Sequence, residues 1–220
     1  MRVIVTCGPT YESLDNVRRL TNFSTGKLGT EFANYLVERG HTVTALQGYY
    51  NTWRGPCRAQ STITFTTTEN LAQRLEELAR EPWDALFHAA AVSDFRFGKV
   101  YRHGSEGELT EIASGKFGTR EGTLLAELVP TRKIISTLRA SFPNAMIAGW
   151  KFEVDGTRDE VIALGRKQVR ENRTNYCVVN GPAYEGGYGI TGADSLLEDC
   201  PAPEILYQKL EALARRSSPR

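Results

Sequence analysis

The chain contains 220 residues, with 27 Lys and Arg against 26 Asp and Glu, a formal net charge of +1 and 40% hydrophobic residues. This composition is typical of a globular domain and excludes a disordered or collagen-like chain. The near-neutral charge argues against a nucleic-acid partner, because nucleic-acid-binding domains usually carry a basic excess. No apolar run approaches the ~18 residues that a membrane span needs, and the first residues lack a signal-peptide pattern. We therefore expect a cytoplasmic protein with no membrane partner.

Cysteines and histidines are few and scattered along the chain. They are Cys7, Cys57, Cys177 and Cys200, and His41, His88 and His103. Because no two of them stand close together, they match neither a zinc motif nor a redox CxxC motif, and reduced thiols are expected. The pattern also argues against a Cys–His nucleophilic pair, although residues distant in sequence can meet in a fold.

Short apolar runs alternate with segments of helical spacing, which predicts alternating strands and helices. In chain order the prediction is a strand at Arg2–Thr6, a helix over 28–39, strands at Thr42–Leu46 and Ser61–Thr66, a helix over 71–78, a strand at Ala85–Ala90, a helix at Arg132–Phe142, a strand at Ala145–Trp150, a helix at Arg158–Glu171, a strand at Tyr176–Val179 and a helix at Glu204–Arg215. Apolar strands separated by helices indicate a parallel sheet covered on both faces. We expect one α/β domain over residues 1–220, with a Rossmann-like, doubly wound, mostly parallel sheet.

The α/β rhythm loosens after the fourth predicted strand, over residues 96–128. Glycines interrupt this stretch at Gly98, Gly104, Gly107, Gly115, Gly118 and Gly122. Two runs between them, Glu108–Ile112 and Thr123–Val129, are suited to antiparallel pairing. We predict an inserted antiparallel flap, which also serves as a dimerisation arm.

The loop after the first strand carries the densest functional signal. In open parallel sheets, ligands bind beyond the carboxyl ends of the strands. Ser24, Thr25 and Gly26 stand where the first helix begins, and free N–H groups at a helix start bind phosphate. Gly8 in the preceding turn and Lys27 belong to the same candidate site. The sequence is neither a Walker A loop nor a GxGxxG fingerprint, and a helix cap beside a packing glycine explains the same spacing equally well.

Other predicted strand ends also carry polar or small residues. Ala90 lets a ligand approach the backbone, and Asp94 suits a ribose hydroxyl or a phosphate-bound magnesium ion, or merely a turn. Trp150 and Lys151 suit base stacking and phosphate contact, or a core lid. Asn180 suits a ligand contact or a turn.

Two further cations belong to this set of candidates. Lys116 lies among the flap glycines, where a mobile lysine can reach phosphate. Lys133 lies at a predicted helix start, where a cation opposes the helix dipole and indicates a nearby anion. For both lysines, ordinary solvation is the competing explanation.

Taken in order, several segments resemble the phosphopantothenate–cysteine ligase family, also called phosphopantothenoylcysteine synthetase. The segments are residues 3–10 (VIVTCGPT), 15–29 (DNVRRLTNFSTGKLG), 89–95 (AAAVSDF), 116–119 (KFGT), 149–153 (GWKFE) and 178–180 (VVN). The resemblance covers most of residues 1–197, and several motifs in one order are far more specific than any one of them.

The resemblance implies a reaction in coenzyme A biosynthesis. A nucleoside triphosphate activates the carboxylate of 4′-phosphopantothenate as an acyl nucleotidylate, which the amine of cysteine then attacks. It also implies Mg²⁺ and a homodimer, with CTP favoured over ATP as the co-substrate. By this resemblance Asn22 handles the acyl intermediate, Lys116 stabilises charge during nucleotidyl transfer, and Asp94 contacts the nucleotide or a cation. Arg18, Asn22 and Asn180 are expected to bind the acid substrate.

The sequence departs from the family at three places. Gly118 and Thr119 replace the usual flap serines, Gly181 replaces the Asp usual after Asn180, and Trp150 replaces a usual Phe. Because the chain opens directly on the ligase strand, no flavin and no decarboxylation are expected. Two rival functions remain open, an NAD(P)-dependent oxidoreductase and a non-catalytic nucleotide-binding protein. The missing GxGxxG and the missing acid after the second strand argue against the first.

Overall fold

A computed structural model describes residues 1–194 and 198–217. The strands are β1 Arg2–Cys7, β2 Tyr11–Ser13, β3 Arg19–Thr21, β4 Thr42–Gly48, β5 Ser61–Phe65, β6 Ala85–His88, β7 Phe95–His103, β8 Leu109–Ile112, β9 Thr123–Pro130, β10 Met146–Phe152, β11 Tyr176–Asn180, β12 Tyr188–Thr191 and β13 Glu198–Cys200. The α-helices are α1 Lys27–Glu38, α2 Thr68–Leu78, α3 Ile135–Ser141, α4 Arg158–Asn172 and α5 Pro203–Ser217.

An eight-stranded sheet forms the centre, in the order β13-β12-β11-β10-β6-β1-β4-β5. Strands β5 to β11 in this order pair in parallel, whereas β12 and β13 add an antiparallel edge. The predicted α/β class and the mostly parallel sheet are therefore confirmed. The antiparallel edge was not predicted, because β12 and β13 have only four and three residues and show no clear alternation.

Hydrophobic clusters on opposite faces of the sheet show that it is doubly wound. On one face, Val3, Val5 and Phe87 pack with residues of α1 and α5. On the other face, Ile4 and Leu86 pack with residues of α2 and α3. Neighbouring residues of a strand thus enter different clusters, as the two-residue period of a strand requires.

A buried ionic network connects α5 to the C-terminal end of α1. Glu211 is 5% exposed. It accepts hydrogen bonds from His41 Nε2 (2.9 Å), Arg215 Nε (2.8 Å) and Tyr35 Oη (3.1 Å). Burial alone would raise the pKa of Glu211, but these hydrogen bonds outweigh it and lower that pKa. Burial also lowers the pKa of His41, although its bond to Glu211 opposes this change.

We expect Glu211→Gln to lower the free energy of unfolding by about 2 kcal/mol at pH 7, because buried donors lose a charged acceptor. The ionised Glu211 stabilises the fold above its usual pKa of 4.5, and the neutral His41 does so above 6.5. Both contributions disappear as the pH falls, so the difference between parent and variant should shrink in acid. Urea unfolding at pH 7 and pH 4 measures this, with the exposed Glu204→Gln as the control. Equal stabilities at pH 7 would contradict the prediction.

The predicted flap is a three-stranded antiparallel sheet in the order β8-β7-β9. The two predicted runs do not pair with each other, contrary to the expectation, because both pair with β7 between them. Strand β7 escaped prediction because a register shift between Phe97 and Val100, with Gly98 inside it, breaks its alternation.

Some predicted elements differ from the structure for local reasons. The first loop contains the β2–β3 hairpin. Strand β6 ends at His88, because Ala90 N–H donates to the side-chain oxygen of Thr6 (3.1 Å) instead of continuing the backbone ladder with β1. Helix α3 begins later than Arg132, because Thr131 N–H and its hydroxyl donate to the carbonyls of Asp94 and Ser93. All four cysteines are free, and no described helix is long and apolar enough to cross a membrane.

Candidate functional site

A cleft of about 930 Å³ opens at the carboxyl edge of the parallel sheet. The chain runs from β1 outward to β4 and β5, and later from β6 outward to β10 and β11, so the order reverses between β1 and β6. Such a switch point separates the two flanking loops and is where ligands bind in doubly wound sheets. Of the residues predicted for the site, the cleft is lined by Gly8, Asn22, Ser24, Thr25, Gly26, Lys27, Ala90, Asp94, Lys133, Trp150, Lys151 and Asn180.

The loops after β1 and β6 are joined by backbone hydrogen bonds at the base of the cleft. Thr10 N–H donates to the Ala91 carbonyl (3.1 Å), and Ala91 N–H donates to the Gly8 carbonyl (3.0 Å). The side chain of Asn22 also donates to the Ala91 carbonyl, at 3.2 Å. The structure therefore places Asn22 beside the alanine-rich loop, although Ala91 lies 69 positions further along the chain.

Helix α1 points its N-terminus at the cleft. Its N-cap is Gly26 with φ 75°, so no side chain caps the first turn, and the predicted alternative of a Ser or Thr cap is wrong. Thr25 Oγ1 accepts only a long bond from Lys27 N–H (3.3 Å). A Cβ at Gly26 would lie 2.2 Å from Asn51 Oδ1, and a Cβ at Gly29 would lie 2.4 Å from Cys7 Cβ. The glycines thus bring this helix start close to the loops around it.

The predicted cations of the cleft differ in their pairing. Lys27 lies 3.9 Å from Glu31 and over the Trp53 ring, and Lys151 pairs with Glu153 at 2.8 Å. Lys133 has no carboxylate within salt-bridge distance among the described residues. Of the three lysines predicted for the cleft, Lys133 is therefore the one whose charge is not already paired with a carboxylate in the described part of the chain.

Two buried polar atoms that line the cleft lack a protein partner in the described part of the chain. They are Trp150 Nε1 and Asn180 Oδ1. Trp150 is paired in register with Val178, two residues before Asn180, so both side chains lie on the same face of the sheet. A donor and an acceptor left unpaired on one cleft wall fit a ligand that supplies both.

Asp94 is exposed at the cleft, and its carboxylate has no hydrogen-bond partner among residues 1–194 and 198–217. The described residues contain no group of three side chains able to hold a metal ion by themselves. Magnesium is commonly held by one or two carboxylates together with substrate phosphates, and a lone Asp94 fits that arrangement.

Arg18 and Lys116 lie together, but outside the cleft lining. Arg18 pairs with Asp15 (2.7 Å) and donates to the Phe117 carbonyl (2.9 Å). Phe117 N–H donates in turn to Asp15 (3.2 Å). Burial would raise the pKa of Asp15, but hydrogen bonds from Val17, Phe117 and Arg18 lower it. This turn fixes the flap segment that carries Lys116.

Sequence reasoning missed His88 and Gln168, which also line the cleft. His88 is 6% exposed, and burial lowers its pKa to about 4. Its Nδ1 lies 3.0 Å from Thr6 Oγ1 on the adjacent strand. The sequence did contain a signal for His88. A polar residue stands near the end of each of two apolar strands, Thr6 in β1 and His88 in β6.

Fold and site together define a doubly wound α/β protein whose ligand cleft lies at the topological switch point. Within that class, residues 1–196 match the family described as DNA/pantothenate metabolism flavoprotein C-terminal domain, and the chain belongs to this family. The resemblance identified from the sequence is thereby confirmed.

One relative matches most of the chain. The coenzyme A biosynthesis bifunctional protein CoaBC of Thermococcus kodakarensis is 32% identical over 180 residues, covering 81% of this chain and 41% of that protein. The chain thus spans about two fifths of the length of that relative.

Solved structures share the fold. The crystal structure of the DNA/pantothenate metabolism flavoprotein from Streptococcus pneumoniae matches with a TM-score of 0.85 at 24% identity, covering 98% of this chain and 99% of that chain. A Cab2 mutant in complex with phosphopantothenate-cysteine matches with a TM-score of 0.72 at 15% identity, covering 98% and 87% of the two chains. At these identities the likeness establishes the architecture.

Proposed function

We propose that this protein is a phosphopantothenate–cysteine ligase of coenzyme A biosynthesis. The observation that carries the proposal is the meeting of Asn22 with the open N-terminus of α1 in one cleft, in a chain of this family. The first loop alone is compatible with any phosphate ligand. The name of the T. kodakarensis relative and the ligand of the Cab2 complex support the more specific assignment.

The reaction requires two polyanions to approach each other. A carboxylate oxygen of 4′-phosphopantothenate attacks the α-phosphorus of the nucleoside triphosphate, and pyrophosphate leaves. The amine of cysteine then attacks the acyl carbon, losing a proton as the amide forms and the nucleoside monophosphate leaves. Magnesium held at Asp94 would neutralise phosphate charge during the first step.

The cleft residues have separate roles in this proposal. N–H groups at Ser24, Thr25 and Gly26 bind phosphate, and Trp150 contacts the base. Asn22 orients the acyl group. The side chain of Asn22 lines the cleft and is held in place by its hydrogen bond to the Ala91 carbonyl. Lys27, Lys133 and Lys151 neutralise charge, Gly8 and Ala90 allow close backbone approach, and Arg18 and Asn180 bind the acid substrate.

Pyrophosphate release tests the proposal directly. We expect release from a triphosphate only when 4′-phosphopantothenate is present, and amide formation only when cysteine is added. Comparing CTP, ATP, GTP and UTP identifies the co-substrate, for which CTP is our expectation. Binding without pyrophosphate release would favour a non-catalytic nucleotide-binding protein, and NADPH binding would favour an oxidoreductase.

We further propose a cytoplasmic homodimer paired through the flap. Phe95 and Leu128 remain exposed on one face of the flap, because Phe95 pairs with Pro130, two residues after Leu128 on β9. Exposed apolar residues grouped on one small sheet are typical of a protein–protein interface. Light scattering at micromolar concentration should give twice the chain mass of 24.5 kDa.

Leu128→Glu should shift this equilibrium to monomer, because it places a charge within the apolar contact. Thr123→Glu on the same strand is the matched control and should remain dimeric. A parent protein that scatters as a monomer would contradict the dimer.

A further inference from the structure

The sheet divides the cleft into two sides of different character. Leu28 and Trp150 line the cleft and pack against the hydrophobic cluster of α1 and α5. Ala90, Val92 and Ile135 line it and pack against the cluster of α2 and α3. We call these the α1 side and the α3 side. The helix start suited to phosphate belongs to the α1 side, whereas the α3 side presents mainly apolar side chains, with Lys133 just before α3.

His88 is a polar group on that α3 side. Leu86, two residues earlier on β6, packs in the cluster of α2 and α3, so His88 points to the same face. Thr6 faces the same way, because Ile4 on β1 belongs to that cluster. The two side chains meet at 3.0 Å between Thr6 Oγ1 and His88 Nδ1.

The hydrogen-bond network around Thr6 fixes the tautomer of the imidazole. Thr6 Oγ1 accepts a bond from Ala90 N–H at 3.1 Å. The described residues offer its hydroxyl proton no acceptor other than His88 Nδ1. If Nδ1 carried the proton, that hydroxyl hydrogen would be left buried and unpaired. Nδ1 is therefore the acceptor, and the neutral ring carries its proton on Nε2.

The protonated Nε2 faces away from Thr6. The two ring nitrogens of imidazole point in widely diverging directions, so Nε2 is directed away from β1 toward β10. There the register partner of His88 is Gly149, which has no side chain, and Ile135 and Gln168 fill the adjoining space. Among the described residues, Nε2–H has no hydrogen-bond acceptor.

We propose that His88 Nε2–H donates a hydrogen bond to a carbonyl oxygen of the uncharged, amide-bearing chain of the acid substrate, which lies on the α3 side. This inference rests on the proposed ligase function. It makes His88 a specificity-determining residue for the acid and assigns the nucleotide phosphates to the α1 side.

The neutral Nε2–H donor of His88 suits an amide carbonyl better than a phosphate. A neutral imidazole contributes a hydrogen bond without a charge, so it discriminates little in favour of phosphate, which is better matched by cations and helix N-termini. An amide carbonyl requires one donor and apolar surroundings for the adjoining carbon chain. Ala90, Val92 and Ile135 supply those surroundings.

Calorimetry on the parent and on His88→Leu and His88→Gln tests the inference. For His88→Leu we expect the Kd of 4′-phosphopantothenate to rise about tenfold, in line with one lost hydrogen bond. The Kd of CTP should stay within about twofold, because the phosphate site lies elsewhere. His88→Gln keeps an N–H donor and should recover most of the affinity for the acid.

Thr6→Val supplies a second test that keeps the imidazole. It removes the hydroxyl that fixes the tautomer, so ¹⁵N NMR should show Nε2-protonated His88 in the parent and a mixture of tautomers in the variant. The affinity for 4′-phosphopantothenate should fall, but less than in His88→Leu. If His88→Leu does not fold, this pair of measurements decides the question.

The outcomes separate this inference from the proposed function. A parent protein that binds no 4′-phosphopantothenate overturns the ligase function and this inference with it. A parent that binds the acid while folded His88→Leu binds it equally well overturns the role of His88 alone. A parent ring protonated at Nδ1 also overturns it.

Discussion

Replacing Lys116 by Gln should lower the rate of pyrophosphate release by about 10²–10³, the usual effect of losing one electrostatic contact to a transition state. Attack on the α-phosphorus concentrates negative charge on the α-phosphate and on the departing pyrophosphate. A flap lysine that closes over them stabilises the transition state more than the bound triphosphate. Nucleotide affinity should therefore change less than turnover. The measurement is pyrophosphate release with 4′-phosphopantothenate and without cysteine, which isolates the first half-reaction.

Arg120→Gln is the matched control for Lys116, because it removes an exposed flap cation four residues away. It should leave the rate within about twofold of the parent, as surface substitutions usually do. Thermal unfolding should be unchanged in both variants. A Lys116→Gln protein that releases pyrophosphate at the parent rate would show that this lysine is only a solvated surface residue.

Lys116 does not line the cleft of its own chain, so a second experiment is needed to show which cleft it serves. To reach the phosphates, the flap must either move within its own chain or cover the cleft of a partner chain. Mixing Lys116→Gln with a variant defective in nucleotide binding distinguishes these arrangements. Activity returns on mixing only if the flap of one chain serves the cleft of the other.

Replacing Gly26 by Val should reduce nucleotide affinity by at least about tenfold, because close approach of phosphate to the helix N–H groups is blocked. At φ 75° Gly26 has a left-handed backbone, and a Cβ there would also lie 2.2 Å from Asn51 Oδ1. The valine therefore displaces the start of α1 as well as covering it. Calorimetric titration with CTP and ATP measures the loss.

Gly40→Val is the control for Gly26→Val, because it introduces the same backbone strain at a position outside the cleft. Gly40 has φ 79°, and its Cβ would meet no atom within 4 Å. Both substitutions should cost about 1–2 kcal/mol of stability through the left-handed backbone. Only Gly26→Val should lose nucleotide affinity, because only Gly26 lines the cleft. Unchanged affinity in a folded Gly26→Val protein would place the phosphate site elsewhere.

Local sequence patterns predicted the strands and helices of the parallel sheet well. Strand Arg2–Cys7 contains the β-branched run Val3–Val5, and α1 has an apolar stripe of helical period. These patterns involve only residues close together in sequence, so they can be identified without knowledge of the tertiary structure. Strand β7 was not predicted from its sequence, because its bulge changes which residues share a face of the flap.

The motifs in the sequence were enough to predict the family, a site beyond the carboxyl ends of the strands, and twelve residues that line the cleft found there. What only the tertiary structure decided was which of these residues come together. Hydrogen bonds across long sequence separations join Asn22 to Ala91, Arg18 to Phe117 and Thr6 to His88. No local pattern encodes such pairings, because they arise where loops from different strands meet at one edge of the sheet. Burial likewise lowers the pKa of His88 to about 4, so the imidazole is neutral at pH 7 because of the packing around it.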